Sequence, residues 1–171
     1  MNLNNTRVIN ADCATVWAAI LDPEVLKACV PGCQQMEGTP EDGFTTTVVQ
    51  KVGPVKATFK GVVTLADMVP PESLTLSGEG KGGAAGFAKG DARVRLEEQG
   101  PQTVLHYEVE AKVGGKLAQL GSRIIDGFSK KMADQFFDNF QEHVGTPETA
   151  DPEPEAQDGP SKKGWLKRLV T

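Results

Sequence analysis

A long apolar stripe between residues 117 and 144 constrains the fold of this chain more than any other feature. Large apolar residues recur four apart along it, and further apolar residues widen the row. The row and its widening residues are Leu120, Ile124, Phe128, Met132, Phe136 and Phe140, with Leu117, Ile125, Phe137 and Val144. The spacing predicts one helix of about 28 residues with a single face to bury. At ~1.5 Å per residue, this helix is roughly 42 Å long, enough to cross a sheet.

The chain before this stripe begins with shorter elements. Residues 4–10 alternate weakly between apolar and polar and predict a first strand. Asp12 is predicted to cap a short helix that ends before Pro23, because the residue preceding a proline avoids the α region. A second short helix is predicted over residues 24–28. Two short helices therefore separate the first strand from the rest of the sheet.

From residue 34 to residue 112 the apolar period changes to two, which is typical of half-buried strands. Pairs such as Gly53-Pro54 and Gly100-Pro101 mark the turns between them. Strands are predicted over residues 44–51, 55–66, 72–80, 84–97 and 104–113. No helical segment separates them, which indicates an antiparallel meander. The predicted class is α+β, a curved antiparallel sheet wrapped around one long C-terminal helix.

The inward positions of these strands are unusually small. They include Ala57, Gly61, Gly78, Gly80, Gly86, Ala88, Gly90 and Ala111. One interpretation is that glycines permit the bulges and curvature of a wrapped sheet. A second, compatible interpretation is that the small residues leave a pocket between sheet and helix, where Gly61→Leu or Ala88→Phe is expected to fill space without unfolding the domain. The predicted pocket is apolar and suits an apolar ligand. Its predicted lining is Trp17, Phe59, Val63, Leu65, Leu76, Val94, Tyr107, Val109, Leu120, Ile124 and Phe128.

Composition excludes some functions. The net charge of −5 and sequence pI near 5.1 argue against nucleic-acid binding. The first ten residues have no apolar signal-peptide core, and no run is long enough to span a bilayer, so a cytoplasmic protein is expected. Three cysteines, Cys13, Cys29 and Cys33, are expected to be reduced, in keeping with that compartment. No fourth ligand accompanies them, so no metal site is expected.

Catalysis is the minority hypothesis. The two histidines are His106 on a polar strand face and His143 at the helix end, which is a poor arrangement for a shared base. No nucleophile elbow accompanies them, and the glycine-rich run 78–90 opens no predicted helix that could hold phosphate. We therefore expect no enzymatic activity, no catalytic residues and no catalytic cofactor.

The last 27 residues form two further segments. Residues 145–160 contain four prolines, five acidic residues and no basic or large apolar residue, which predicts a disordered linker after a domain of residues 1–144. Residues 161–171 then form a short basic amphipathic tail, with apolar residues on one helical face and cations on the other. A charged, frayed C-terminus is the alternative. The residues predicted to meet an anionic membrane surface are Lys162, Lys163, Trp165, Leu166, Lys167, Arg168, Leu169 and Val170.

Several motifs together resemble a known family. They are Val30-Pro31-Gly32-Cys33, the turn 51–55, Gly78-Glu79-Gly80, and the run 116–125 that leads to Phe136-Phe137. The order of elements resembles the helix-grip fold of START-like (SRPBCC) ligand-binding domains. Over about residues 1–143, the motif set resembles more narrowly the G-subunit family of carbon monoxide dehydrogenase.

The resemblance implies an accessory protein of a molybdenum hydroxylase system that links a carbon monoxide dehydrogenase-type complex to the inner face of the cytoplasmic membrane. The expected ligand is a respiratory quinone or a related isoprenoid lipid, since carbon monoxide oxidation must deliver electrons to a respiratory chain. Two alternatives remain open from the residues. One is a pure membrane-recruitment adaptor without a ligand, and the other is a START-like enzyme acting on a polyketide-like substrate.

Overall fold

The computed structural model describes residues 1–145 and contains a seven-stranded sheet, most of whose strands alternate between apolar and polar residues. The strands are β1 (Asn2–Ile9), β2 (Cys33–Thr39), β3 (Gly43–Val52), β4 (Val55–Val69), β5 (Ser73–Lys81), β6 (Phe87–Gln99) and β7 (Gln102–Gly114). Their spatial order is β1-β7-β6-β5-β4-β3-β2, and every neighbouring pair is antiparallel. The predicted meander is confirmed.

Four α-helices accompany the sheet within the described residues. They are α1 (Cys13–Ile20), α2 (Pro23–Cys29), α3 (Lys116–Gln119) and α4 (Ser122–Val144). Asp12 caps α1 as predicted, because its carboxylate accepts a hydrogen bond from the Thr15 amide at 2.8 Å. Asp22 caps α2 in the same way through the Glu24 amide, and Pro23 occupies the first turn, where its missing amide proton costs nothing.

The predicted single C-terminal helix is wrong in one respect, because it is interrupted at Gly121. This glycine has φ +88°, a value that L side chains rarely adopt, and it separates the short α3 from the 23-residue α4. Within α4 a row spaced four residues apart also drifts by about 40° per step, because the helix has 3.6 residues per turn. Ile125 is therefore buried together with Phe140, whereas Ile124, predicted to face inward, is 41% exposed.

Two strand assignments also differ. The strand β2 has no counterpart in the sequence prediction, because its residues are polar and mostly exposed at the edge of the sheet, so no apolar alternation reveals it. Residues predicted to begin the strand at 84 instead form a 3₁₀ turn, Gly83–Ala85, and β6 starts at Phe87.

The apolar interior is divided into two clusters at opposite ends of the sheet. The first core contains Trp17, Tyr107 and Phe140, and the Phe136 and Phe137 rings pack against it. The second core is smaller and consists of Val52, Leu117 and Ile125, with partly buried side chains around them. Between these clusters the concave face carries mostly small residues.

Candidate functional site

The concave face of the sheet contains an apolar cavity of about 400 Å³, which we call the trough. Residues of β3 to β7 line it, and almost all of its accessible surface is apolar. The lining residues include Val48, Phe59, Val63, Leu76 and Val109 around a floor of Gly61, Gly78, Gly80, Ala88, Gly90, Ala92 and Ala111. A cavity of this size and polarity lies within the range of small-molecule sites.

The glycines of the trough floor have two different structural roles. A Cβ atom at Gly61 lies only 2.1 Å from the Glu79 carbonyl oxygen, so this glycine allows close approach of strands β4 and β5. The expectation that Gly61→Leu fills space without unfolding is therefore wrong. At Gly78, by contrast, the nearest atom to an added Cβ is 3.8 Å away, so this position has room. Both interpretations of the small residues hold, each at different positions.

Four of the eleven predicted pocket residues line the trough: Phe59, Val63, Leu76 and Val109. Three others, Trp17, Val94 and Tyr107, are buried in the first core. Leu65 packs against that core without lining the trough. Period-two alternation identified the correct face of the sheet, but it carries no information on where along a strand the void lies.

The predicted contribution of the long helix differs from the structure. Leu120 and Phe128 pack against the second core beside Phe59, and Ile124 lies near Gly53 at the β3–β4 turn. None of these helical residues lines the trough. The helix meets the sheet through the two cores, so the trough between them is formed by strands alone.

Thr46, one of the polar residues that line the trough, has its hydroxyl already engaged. The Thr46 hydroxyl donates to the Gln35 carbonyl at 2.9 Å, and the Cys33 thiol donates to the same carbonyl at 3.3 Å. Their protons are directed toward the β2 backbone. The trough is thus suited to a hydrocarbon chain that needs no hydrogen-bond donor.

An ion pair that the sequence pattern did not predict joins β1 to α4. The Arg7 guanidinium donates to Asp134 at 2.5 Å and lies 5.0 Å from the centre of the Phe137 ring. Its Nε atom is buried and makes no hydrogen bond. Burial lowers the pKa of Arg7, but the Asp134 carboxylate and Tyr107 hydroxyl outweigh this effect and raise it above the ordinary value. Arg7 occupies an inward position of a weakly alternating strand, which was the available signal.

The thiols and His106 lie apart from the trough, with the exception of Cys33 near its rim. Cys29 is fully buried in the first core, and burial, followed by the nearby Glu142, raises its pKa to about 11. His106 lies on the outer face, where its Nε2 is 3.0 Å from Glu97 and its Nδ1 is 3.0 Å from the Thr6 hydroxyl. The hydrogen bond from His106 lowers the pKa of Glu97. All three cysteines are free, and residues 1–145 contain no group of three potential metal ligands.

The predicted linker, apart from its first residue, and the predicted membrane tail lie outside the described residues. Within residues 1–145, no helix combines the length and the hydropathy needed to cross a membrane. The tail residues, from Lys162 to Val170, therefore remain a sequence prediction.

Solved structures of similar domains share this fold. A conserved protein from Geobacillus kaustophilus is 28% identical, with a TM-score of 0.79 over 84% of this chain and 95% of that one. A START superfamily protein from Mycobacterium smegmatis is 13% identical, with a TM-score of 0.64 over 84% and 96% of the two chains. A protein from Thermus thermophilus is also 13% identical, with a TM-score of 0.63 over 84% and 97%. The START-like fold is thereby confirmed.

A family comparison gives a narrower result. No curated protein matches this chain. The family described as the G subunit of carbon monoxide dehydrogenase (CoxG) matches residues 6–145, which include every strand of the sheet except the first residues of β1. Because this match spans most of the chain, the protein belongs to the carbon monoxide dehydrogenase CoxG family.

Proposed function

We propose that this chain is a non-enzymatic accessory protein of a carbon monoxide dehydrogenase-type molybdenum hydroxylase system. In this proposal it holds an apolar small molecule in the trough and links the dehydrogenase to the membrane. The observation that carries the proposal is the apolar trough of about 400 Å³ on the concave face of a family member. No residue of the chain is assigned a catalytic role.

The proposed ligand is a respiratory quinone or a related isoprenoid lipid. Burial of a prenyl chain against the trough removes apolar surface from water, at about 25 cal/mol per Å². The prenyl chain requires no hydrogen-bond donor from the protein. The hydroxyl proton of Thr46 and the thiol proton of Cys33 are already donated to the Gln35 carbonyl. Electrons from carbon monoxide oxidation need an acceptor, and a quinone combines that chemistry with a prenyl chain.

The proposed membrane link is the C-terminal tail. Its apolar residues Trp165, Leu166, Leu169 and Val170 contribute about 3–6 kcal/mol at an interface, and each of four cations adds roughly 1 kcal/mol near an anionic leaflet. Ordering about ten residues at ~1 kcal/mol each offsets most of this gain. We therefore expect weak and reversible docking on anionic membrane.

Solvent extraction of the natively purified protein tests the ligand proposal. Mass spectrometry of the extract is expected to show a quinone or isoprenoid lipid in the wild type. Ala88→Phe places a ring in the trough and should remove it, whereas Ala66→Phe on the exposed outer side of β4 is the matched control and should retain it. A wild-type extract without any apolar molecule would favour the adaptor alternative, and one with fatty acids alone would contradict the quinone.

Vesicle sedimentation tests the membrane link separately. Trp165→Glu with Leu169→Glu should move the protein from the pellet of anionic vesicles to the supernatant at unchanged melting temperature. Equal pelleting of this variant and the wild type would contradict the tail as the tether.

A further inference from the structure

The outer face of the sheet carries a cluster of lysines at the end near the second core, which we call the lysine face. Its members are Lys51, Lys56, Lys60, Lys81, Lys89 and Lys112. All six residues are exposed, and none forms an ion pair within residues 1–145. The chain as a whole has a net charge of −5, so this face opposes the average charge of the molecule.

The strand register places these lysines directly against one another. Lys51 faces Lys56 across β3 and β4, Lys60 faces Lys81 across β4 and β5, and Lys89 faces Lys112 across β6 and β7. Directly opposed side chains have Cβ atoms about 4.5–5.5 Å apart, where like charges destabilise a sheet. A strand face in contact with water needs polar residues. Solvation alone does not explain why three pairs of directly opposed residues all consist of two lysines.

Acidic residues lie within the lysine face and at one border of it, but within residues 1–145 none forms an ion pair with its lysines. Glu79 faces Lys89, and the next outward positions along β6 and β7 are Asp91 and Glu110, which face each other. Two apolar side chains also lie among these rows, Phe87 at 38% exposed and Val62 at 48% exposed. An exposed aromatic ring beside cations is a composition found at protein interfaces.

We propose that the lysine face is a docking surface for an acidic patch on a partner protein. This inference rests on the proposed function and deepens it, because it assigns the surface through which the domain meets the dehydrogenase. Five strands at ~4.8 Å spacing and about six residues at ~3.3 Å give a face of roughly 20 Å by 20 Å. That area, roughly 400 Å², is about half of the ~800 Å² that each partner contributes to a standard stable interface, so the docking is transient and steered by charge.

The acidic border of the lysine face argues against an anionic membrane as its partner. Asp91 and Glu110 lie beside the lysine rows on the same outer face, where they would meet the anionic headgroups of a bilayer laid across the sheet. An acidic patch on a folded protein can instead cover the lysines alone, because its charges occupy fixed positions.

Charge reversal with a matched control tests the proposal. The full-length protein carrying Lys60→Glu and Lys81→Glu is compared with one carrying Lys130→Glu and Lys131→Glu, two exposed lysines of α4. Binding to the purified dehydrogenase complex is measured by surface plasmon resonance at about 50 and 500 mM NaCl, since salt screens exposed charges. Anionic vesicles serve as a second binding target, and the ligand extract checks that the domain is intact.

We expect wild-type binding to weaken as the salt concentration rises. The variant with Lys60→Glu and Lys81→Glu, called the β4–β5 variant, should lose about tenfold or more in affinity. The variant with Lys130→Glu and Lys131→Glu, called the α4 variant, should change in affinity by less than about twofold. Equal losses in both variants, or a loss confined to vesicle binding, would overturn the lysine face as a protein-docking surface while leaving the proposed function in place. Absence of any wild-type binding to the dehydrogenase would overturn both. If the β4–β5 variant still yields the ligand on solvent extraction, its domain is folded, and weaker binding to the dehydrogenase then reflects lost docking.

Discussion

The C-terminal half of α4 is packed more closely against the rest of the domain than its N-terminal half. Toward its C-terminus, Phe140 is fully buried, and the rings of Phe136, Phe137 and Tyr107 form stacked and edge-to-face contacts, with centroids 5.0 to 5.8 Å apart among themselves or from Phe140. Toward its N-terminus, Ile125 is buried, but Phe128 is only partly buried and Ile124 is 41% exposed. The difference shows how one helix can stabilise a domain at one end and leave an apolar space open beside it.

The largest expected effect comes from truncating the aromatic anchor. Phe140→Ala should lower the free energy of unfolding by about 3–5 kcal/mol, since a fully buried ring is replaced by a cavity. The matched change Phe128→Ala removes a half-buried ring at the loose end and should cost about 1–2 kcal/mol. Urea unfolding of both variants measures the contrast. Equal losses would mean that the two ends are equally well packed.

A second prediction concerns pH at the tight end. Because the folded-state pKa of Cys29 is raised to about 11, the thiol stays protonated where the unfolded chain already ionises. Stability from this group is complete below about pH 8.5 and is lost as the pH rises toward 11, by roughly 2–3 kcal/mol in total.

The control for this pH effect is Cys29→Ala, which removes the titrating group. Comparison of wild type and variant by urea unfolding between about pH 8 and pH 11 isolates its contribution from those of lysine and tyrosine side chains. The same pH dependence in both proteins would show that Cys29 is not held in a water-free environment.

A third prediction tests the trough floor with two glycines. Gly61→Val forces a Cβ against the Glu79 carbonyl and should destabilise the domain by about 1–3 kcal/mol or more. Gly78→Val places its Cβ at ordinary van der Waals distances of 3.8 Å or more, should cost less than about 1 kcal/mol, and should abolish binding of an apolar fluorescent probe. Thermal unfolding and probe titration provide the two measurements. Retained probe binding in Gly78→Val would place the ligand elsewhere.

The smallest expected effect is an increase in the free energy of unfolding, whereas the changes above decrease it. Lys60→Glu turns a directly opposed Lys60–Lys81 pair into an ion pair, which should raise the free energy of unfolding by roughly 0.2–1 kcal/mol at low salt. The control Lys130→Glu has no strand partner and should change stability less. Salt-dependent thermal unfolding detects the difference, and a destabilised Lys60→Glu protein would show that the opposed lysines do not repel.

Much of the fold was predictable because local patterns carry it. The strands from β3 to β7 alternate clearly between apolar and polar residues, and the Asp12 cap and the Pro23 boundary act through their immediate neighbours. The family resemblance rested on motifs within the same segments and is confirmed by the match over residues 6–145. The polar edge strand β2 lacks such a pattern, which is why it was missed.

Periodicity along neighbouring residues was enough to predict the meander, the apolar concave face and an apolar C-terminal helix. The tertiary structure adds that the trough lies between two cores, that α4 does not line it, that Gly61 is tightly packed while Gly78 has room for a Cβ, and that lysines from five strands share one outer face. These features depend on strand register and on distances between residues far apart in the chain. A one-dimensional pattern specifies which face a side chain occupies, whereas the register and curvature of the sheet determine which side chain it meets.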